Sequence, residues 1–353
     1  MKRCVLLSVL LLLLIGPIAA QEESNEGKSW CVSVWYPSSE IASGYDSIIN
    51  NADVIDTVNP FWYVALPDGT LHKTADAEDE EKLSDWRDAG FIIMPAIFSN
   101  GWMMIDSAED RTHHVQQIVE LVERLDYDGI DVDYEGFDPA TREDFSSFVD
   151  SLATSLHSRG RLLSIAVHAK TSDEGSWGGA AAQDWQQLAA SVDVFRIMTY
   201  DYTSRNEPPG PIAPPNWIID VLAYAQSVTD LSRVRLGLNF YGYSWQRGTP
   251  PSVPVTWQSY NRWVDAFDLE VIRDEDMEAQ IDFKATGLPR QTVYMADAAG
   301  LSFKLELIRQ SYPELGGVAI WGLGDEDPEN WDVLREQTTD NCDVNLMSKS
   351  GQR

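Results

Sequence analysis

Between positions 128 and 136 the chain reads DGIDVDYEG, which places Asp128, Asp131, Asp133 and Glu135 within eight residues. The acids alternate with Ile130, Val132 and Tyr134. Three kinds of chemistry fit such a run: a calcium loop, a solvated acidic turn, or a strand that aligns carboxylates for proton transfer. A calcium loop beginning at Asp131 would need a bidentate carboxylate at its twelfth position, where Arg142 stands. A solvated turn would not interleave apolar residues so regularly. Strict alternation is the mark of a strand with two different faces. On that reading Asp131, Asp133 and Glu135 share one face, and Ile130, Val132 and Tyr134 the other. Acids crowded in a poorly solvated place hold their protons more tightly, as a general acid at neutral pH must.

The rest of the chain supplies the elements that would position them. Eight β-rich runs recur: 31–36, 53–64, 91–99, 129–135, 162–169, 193–202, 234–245 and 316–324. Helical patterns lie between several. Val115, Ile118, Leu121, Val122 and Leu125 recur at helical spacing, as do Phe145, Phe148, Val149, Leu152 and Leu156. Thr141 and Asp144 resemble a capping box for the second helix. Eight strands alternating with helices predict an α/β fold, a (β/α)8 TIM barrel; a doubly wound open sheet is the alternative. The interval between the seventh and eighth strands is too long for one helix, so a small α+β insertion is expected at about 247–298. In a barrel the acid-bearing face of 129–135 turns inward, with Glu135 nearest the C-terminal rim where barrel enzymes do their chemistry.

Residues 1–20 carry Lys2 and Arg3, an apolar run and then Ala19–Ala20, the order of a secretory signal peptide, with a retained anchor as the alternative. Residues 21–29 read as a polar N-terminal segment, 30–340 as the barrel domain and 341–353 as a C-terminal tail. Export to the extracellular space or cell envelope is expected, with no membrane span in the mature form. The chain has 56 acidic and 26 basic residues, a formal net charge of −30. Such a balance excludes nucleic acid and anionic membranes as partners, and it suits solubility or a high-salt setting. A monomer is expected. There is no CxxC or HExxH, and His72, His113, His114, His157 and His168 lack zinc-ligand spacing, so neither metal nor cofactor is expected. Cys31 and Cys342 stand near the two ends of the folded region; they pair if the ends meet, or remain inert thiols.

The motif DGIDVDYE (128–135) resembles the DGxDxDxE signature of glycoside hydrolase family 18, the chitinase-like barrel hydrolases. The resemblance extends to MTYD (198–201), GLNFYGYSW (237–245) and Trp321, and covers essentially 30–335. Where family chitinases carry SxGG on the third strand, this chain has MPAIFSNGW (94–102). NPFWYVALPDGTL, AKTSD and GGVAIWGLGDEDPENW are similar instead to the bacterial branch of spore-cortex and peptidoglycan N-acetylglucosaminidases. The resemblance implies a retaining mechanism in which the substrate's 2-acetamido oxygen is the nucleophile, an exception to the two-carboxylate scheme. It implies Glu135 as general acid and base, Asp133 as partner of the acetamido N–H, and Asp131 as a deeper acid sharing a proton with Asp133. Tyr200 would donate to the acetamido carbonyl and Asp201 help hold the sugar. Trp321 would floor the subsite, with ordinary core packing as the alternative, and Met198 would border it; Tyr241, Trp62 and Asn100, with Tyr63, Trp102 and Trp245, either border the cleft or pack in the core. Arg196 is expected to pair with an acid inside the barrel. The implied substrate is a glycan containing N-acetylglucosamine. Relatives that have lost the acid are binding proteins, and the presence of Glu135 argues for an enzyme over a lectin.

Overall fold

A computed structural model describes residues 30–37, 43–101, 105–287 and 289–337. The expected signal peptide, polar segment and C-terminal tail lie outside the described residues, as do Trp102 and Cys342. Cys31 is disulfide-bonded.

Eight parallel strands close into a barrel. They are β1 (Cys31–Tyr36), β2 (Thr57–Ala65), β3 (Ala96–Ser99), β4 (Gly129–Tyr134), β5 (Leu162–His168), β6 (Val194–Met198), β7 (Val234–Asn239) and β8 (Gly317–Trp321). Each pairs with its chain neighbour, and β1 closes the ring by pairing with β8 through Cys31↔Gly317 and Val34↔Ile320. The third run is shorter than its sequence suggests. Ile92–Ile93 pairs with β2, the ladder breaks at Met94–Pro95, and β3 resumes at Ala96. Pro95 has no N–H to give the ladder, which accounts for the break.

Outward residues of the strands meet the helices in one continuous core. Ile130, Val132 and Tyr134 are fully buried there with Phe145, Phe148, Val149, Leu152 and Leu156 of helix Arg142–His157. Burying each such side chain contributes about 1.5–3 kcal/mol. The expected capping box at the head of this helix is not formed. Thr141 makes no side-chain cap bond; its hydroxyl donates to the Asp138 carbonyl at 2.8 Å, and Asp144 takes an ion pair from Arg111 at 2.6 Å. A short 3-10 turn, Pro139–Thr141, capped by Asp138, leads into the helix in its place.

The insertion begins earlier than expected. Gly242–Gln246 extends the seventh β-rich run in sequence but leaves the barrel. It pairs antiparallel with Val253–Val255 and Gln291–Met295, and Ala279–Phe283 completes a four-stranded sheet. The turn is set at Asn239, whose side-chain amide donates to the Tyr241 carbonyl at 3.0 Å. Gly242 is required there, since a Cβ would stand 2.3 Å from the Tyr294 carbonyl oxygen. Helix Trp257–Phe267 packs on this sheet around a second small core of Tyr260, Ile281, Phe283, Val293 and Met295.

Candidate active site

Inside the barrel, Ala96 of β3, Ala166 of β5 and Ala319 of β8 point inward beside Trp35 and Trp321. Small side chains on three strands leave a hollow at the C-terminal end, a cleft of about 970 Å³. Asp133, Glu135, Met198, Tyr200, Asp201 and Trp321 all line it. Asp131 lies one step deeper.

The ladder on β4 grades from clamped to open. Asp131 is fully buried and accepts three hydrogen bonds: Arg196 Nη1 at 2.7 Å, Ser164 Oγ at 2.5 Å and Trp35 Nε1 at 2.8 Å. The expected pairing of Arg196 with an acid is therefore present, and Arg196 offsets the Asp131 charge in a dry interior. Trp35, Ser164 and Arg196 hold the Asp131 carboxyl in place beneath Asp133, the acid with which it is expected to share a proton. Asp133 is buried, and among the described residues its Oδ1 has no hydrogen-bond partner. Burial, with the neighbouring Glu135 and Asp131 charges, raises its proton affinity well above the carboxylate range. Glu135 keeps a third of its side chain exposed. Burial, and then the Asp201 charge, pushes it up to about 7.

Backbone contacts set Glu135 at the rim. Its N–H donates to the Ser99 carbonyl at 2.8 Å, holding it to the end of β3. Gly136 follows with φ +70, turning the chain away from the barrel mouth. Gly101, at φ +81, comes so close that a Cβ would sit 2.6 Å from the Gly136 carbonyl oxygen. The loops after β3 and β4 therefore meet backbone to backbone beside the acid.

Tyr200 and Asp201 follow β6. Burial, then the Asp133 charge, raises the Tyr200 hydroxyl well above its ordinary value, so it stays a donor at neutral pH. Asp201 has φ +58 and accepts from the Tyr241 and Tyr243 hydroxyls at 2.7 and 2.9 Å. Tyr241 thus supports Asp201 from behind and does not line the cleft. Trp321 meets Phe61 at 5.1 Å between ring centroids and Trp35 edge-on at 6.4 Å, forming an apolar floor.

Several sequence candidates sit elsewhere. Trp62 is fully buried in the strand–helix core, stacked on Trp86 at 5.6 Å. Tyr63 joins it there, with its hydroxyl 2.9 Å from that of Tyr127. Alternation from the cleft-facing Phe61 puts Trp62 on the outer face, and a bulge between Phe61 and Tyr63 turns Tyr63 outward beside it. Asn100 is exposed outside the cleft lining, because β3 has ended at Ser99 and the chain is turning. Trp245 is buried in the insertion, where its indole N–H donates to the Glu207 carbonyl at 2.8 Å.

The cleft also holds residues that sequence reasoning passed over. His168 ends β5 with Nε2 3.5 Å from Glu135 Oε2, and burial lowers it to about 4, so it is neutral. Trp177, Tyr202 and Trp217 border the same side. Lys170 reaches the cleft wall, but its ammonium donates to the carbonyls of Asp173, Ala180 and Gln183. Strand parity could have found Trp35 and Phe61; a lone histidine at a strand end gives no pattern to read.

A barrel whose C-terminal mouth holds an acid ladder, a buried tyrosine and an aromatic floor defines a glycosidase of the barrel class. A family model, glycosyl hydrolases family 18, matches residues 36–327, and the chain belongs to that family. The cortical fragment-lytic enzyme of Bacillus subtilis (strain 168) is 27% identical over 245 residues, 67% of this chain and 56% of that protein. The Bacillus anthracis cortical fragment-lytic enzyme is 24% identical, covering 79% of this chain and 67% of that one. This chain thus spans little more than half the length of the first relative. Among solved structures, chitinase from Chromobacterium violaceum superposes with TM-score 0.80 at 22% identity, covering 88% of this chain and 99% of that one. The spore cortex-lytic enzyme SleL of Bacillus cereus gives 0.79 at 24%, covering 89% and 75%. No helix among the described residues is long and apolar enough to cross a membrane.

Proposed function

We propose that the chain is an exported, monomeric glycosidase that cleaves β-1,4 bonds in glycans containing N-acetylglucosamine, of peptidoglycan or chitin type, with retention of configuration. The observation that carries this reading is the placement of Glu135. It stands at the open end of the ladder, in the cleft, with its carboxyl pushed up to about 7. It can therefore hold a proton at neutral pH and still release it to a glycosidic oxygen.

The other residues fit a reaction whose nucleophile arrives with the substrate. As Glu135 gives its proton to the leaving oxygen, the acetamido oxygen attacks the anomeric carbon and an oxazolinium forms. Asp133 has an oxygen free to accept the acetamido N–H. Tyr200 donates to the acetamido oxygen, and Trp321 offers a flat apolar face to the sugar ring. Asp201 orients the sugar. Glu135, now a carboxylate, then takes a proton from water as the water opens the ring. Asp131, clamped by Arg196, holds its carboxyl beneath Asp133. The relatives' names, cortical fragment-lytic enzyme and chitinase, support the substrate class.

The test is turnover of a fluorogenic N-acetylglucosamine oligomer by the wild type and by Glu135→Gln, with the product anomer read by NMR. A loss of roughly 10²–10⁴-fold in the variant with ligand binding kept is expected. Near-normal rates in the variant overturn the acid assignment. Tight binding without turnover by the wild type moves the reading to a carbohydrate-binding protein. Mass spectrometry of products from muropeptides and chito-oligosaccharides separates the two polymers.

A further inference from the structure

The geometry points to His168 as a positioning residue for Glu135: its neutral ring, as the Nε2–H tautomer, donates a hydrogen bond to the Glu135 carboxylate that exists between the two proton transfers. This rests on the reading of Glu135 as the acid. His168 and Glu135 end neighbouring strands, and Nε2 lies 3.5 Å from Oε2. Such catalytic contacts are often long in the free enzyme and close when substrate binds. Among the described residues, His168 Nε2 is buried with no hydrogen-bond partner, an uncommon state for a ring nitrogen. The acid oxygen beside this unpaired nitrogen is Glu135 Oε2.

The ring is held for this task. Trp177 meets it edge-on at 4.6 Å between centroids. Gln183 accepts from the His168 backbone N–H at 2.8 Å and donates to the Tyr134 carbonyl at 3.2 Å, tying the ends of β5 and β4 together. Most other charged or titratable groups around Glu135 do not offer this bond. Asp131, Asp201 and Glu207 accept hydrogen bonds from other groups; Asp133, when it carries a proton, is the one acid that can also donate, and it remains in place in every His168 variant. Lys170 is committed to three backbone carbonyls. Tyr200 faces Asp133 as well as Glu135, and the Tyr241 and Tyr243 hydroxyls go to Asp201. A donor to the carboxylate favours the charged form and so holds the proton affinity of Glu135 down against burial and the Asp201 charge.

The experiment compares wild type, His168→Phe, which keeps a ring against Trp177, and His168→Gln, whose amide places an N–H near the position of Nε2. Two readouts are taken: the alkaline limb of kcat/KM on the fluorogenic oligomer, and the Glu135 titration followed by 13C-carboxyl NMR, assigned with Glu135→Gln. In the Phe variant the Glu135 midpoint is expected to rise by about one pH unit, equivalent to a tenfold change in proton affinity, and the limb to move with it. His168→Gln should bring both back toward wild type. An unchanged Glu135 midpoint in the Phe variant overturns the proposal, and so does a Gln variant that behaves like Phe. Should the Phe variant fail to fold, His168→Leu, which also lacks a donor, takes its place: an upward shift supports the bond and an unchanged midpoint overturns it. If Glu135→Gln keeps full turnover, the acid assignment fails, while the NMR titration still decides whether the bond exists.

Discussion

Arg196 and Asp131 form an ion pair at 2.7 Å in the middle of the barrel, with side chains 1% and 0% exposed. Neither charge has water to fall back on, so removing one partner strands the other. Arg196→Met should cost about 3–5 kcal/mol of stability, measured by urea unfolding. Adding Asp131→Leu should recover most of that loss, because a well-packed apolar pair replaces a buried ionic one. Turnover should stay low in the double variant, since the carboxyl beneath Asp133 is gone. A single variant as stable as wild type would show that the pair is solvated in solution.

The pH profile follows from the charges around Glu135. The active form carries the proton, and the carboxyl is pushed up to about 7. The rate kcat/KM should therefore fall about tenfold per unit above that pH. The Asp201 charge is one cause of the raised value. Removing it by Asp201→Asn should make Glu135 more acidic and move the alkaline limb downward, by about half a unit to one unit. An unmoved limb would mean that Asp201 acts on the sugar alone and not on the acid.

The same raised proton affinity has a cost in stability. Glu135 holds its proton more tightly in the folded than in the unfolded chain, so its favourable contribution is complete below the ordinary carboxyl value of 4.5. That contribution is lost as pH rises through about 7. Glu135→Gln cannot ionise. It should melt with wild type at pH 4 and a few degrees above it at pH 8, read by differential scanning calorimetry. Equal melting at both would show that the carboxyl is fully hydrated at the rim.

What the chain discloses depends on the kind of interaction that places each residue. The inward turn of Asp133 and Glu135 follows from period-2 alternation, a local property, and the barrel follows from counting β-rich runs. The pairing of Arg196 with an acid follows from burial chemistry, which does not tolerate a lone charge. Trp62 takes the core position that alternation from Phe61 gives it, whereas Tyr63 and Asn100 depend on a bulge and a strand end, which change parity according to what the neighbouring strand does. Gly242–Gln246 reads as more of the seventh strand; its antiparallel pairing with Val253–Val255 and Gln291–Met295 shows that it belongs to another sheet. His168 gives no pattern at all, because its relation to Glu135 exists only across the β4–β5 boundary.

Two tryptophans of the same type should then answer mutation in opposite ways. Trp62 is out of contact with solvent and stacked on Trp86. Trp62→Ala should leave a cavity and cost about 3–5 kcal/mol, while the molecules that still fold keep the wild-type KM. Trp321 is partly exposed and faces the cleft. Trp321→Ala should cost less stability but lose about 1–3 kcal/mol of ring stacking, roughly 5- to 150-fold in oligomer affinity. Parallel unfolding and binding titrations of the two variants separate these effects. If Trp62→Ala weakened ligand binding while leaving stability intact, the outward placement of that ring on β2 would be wrong.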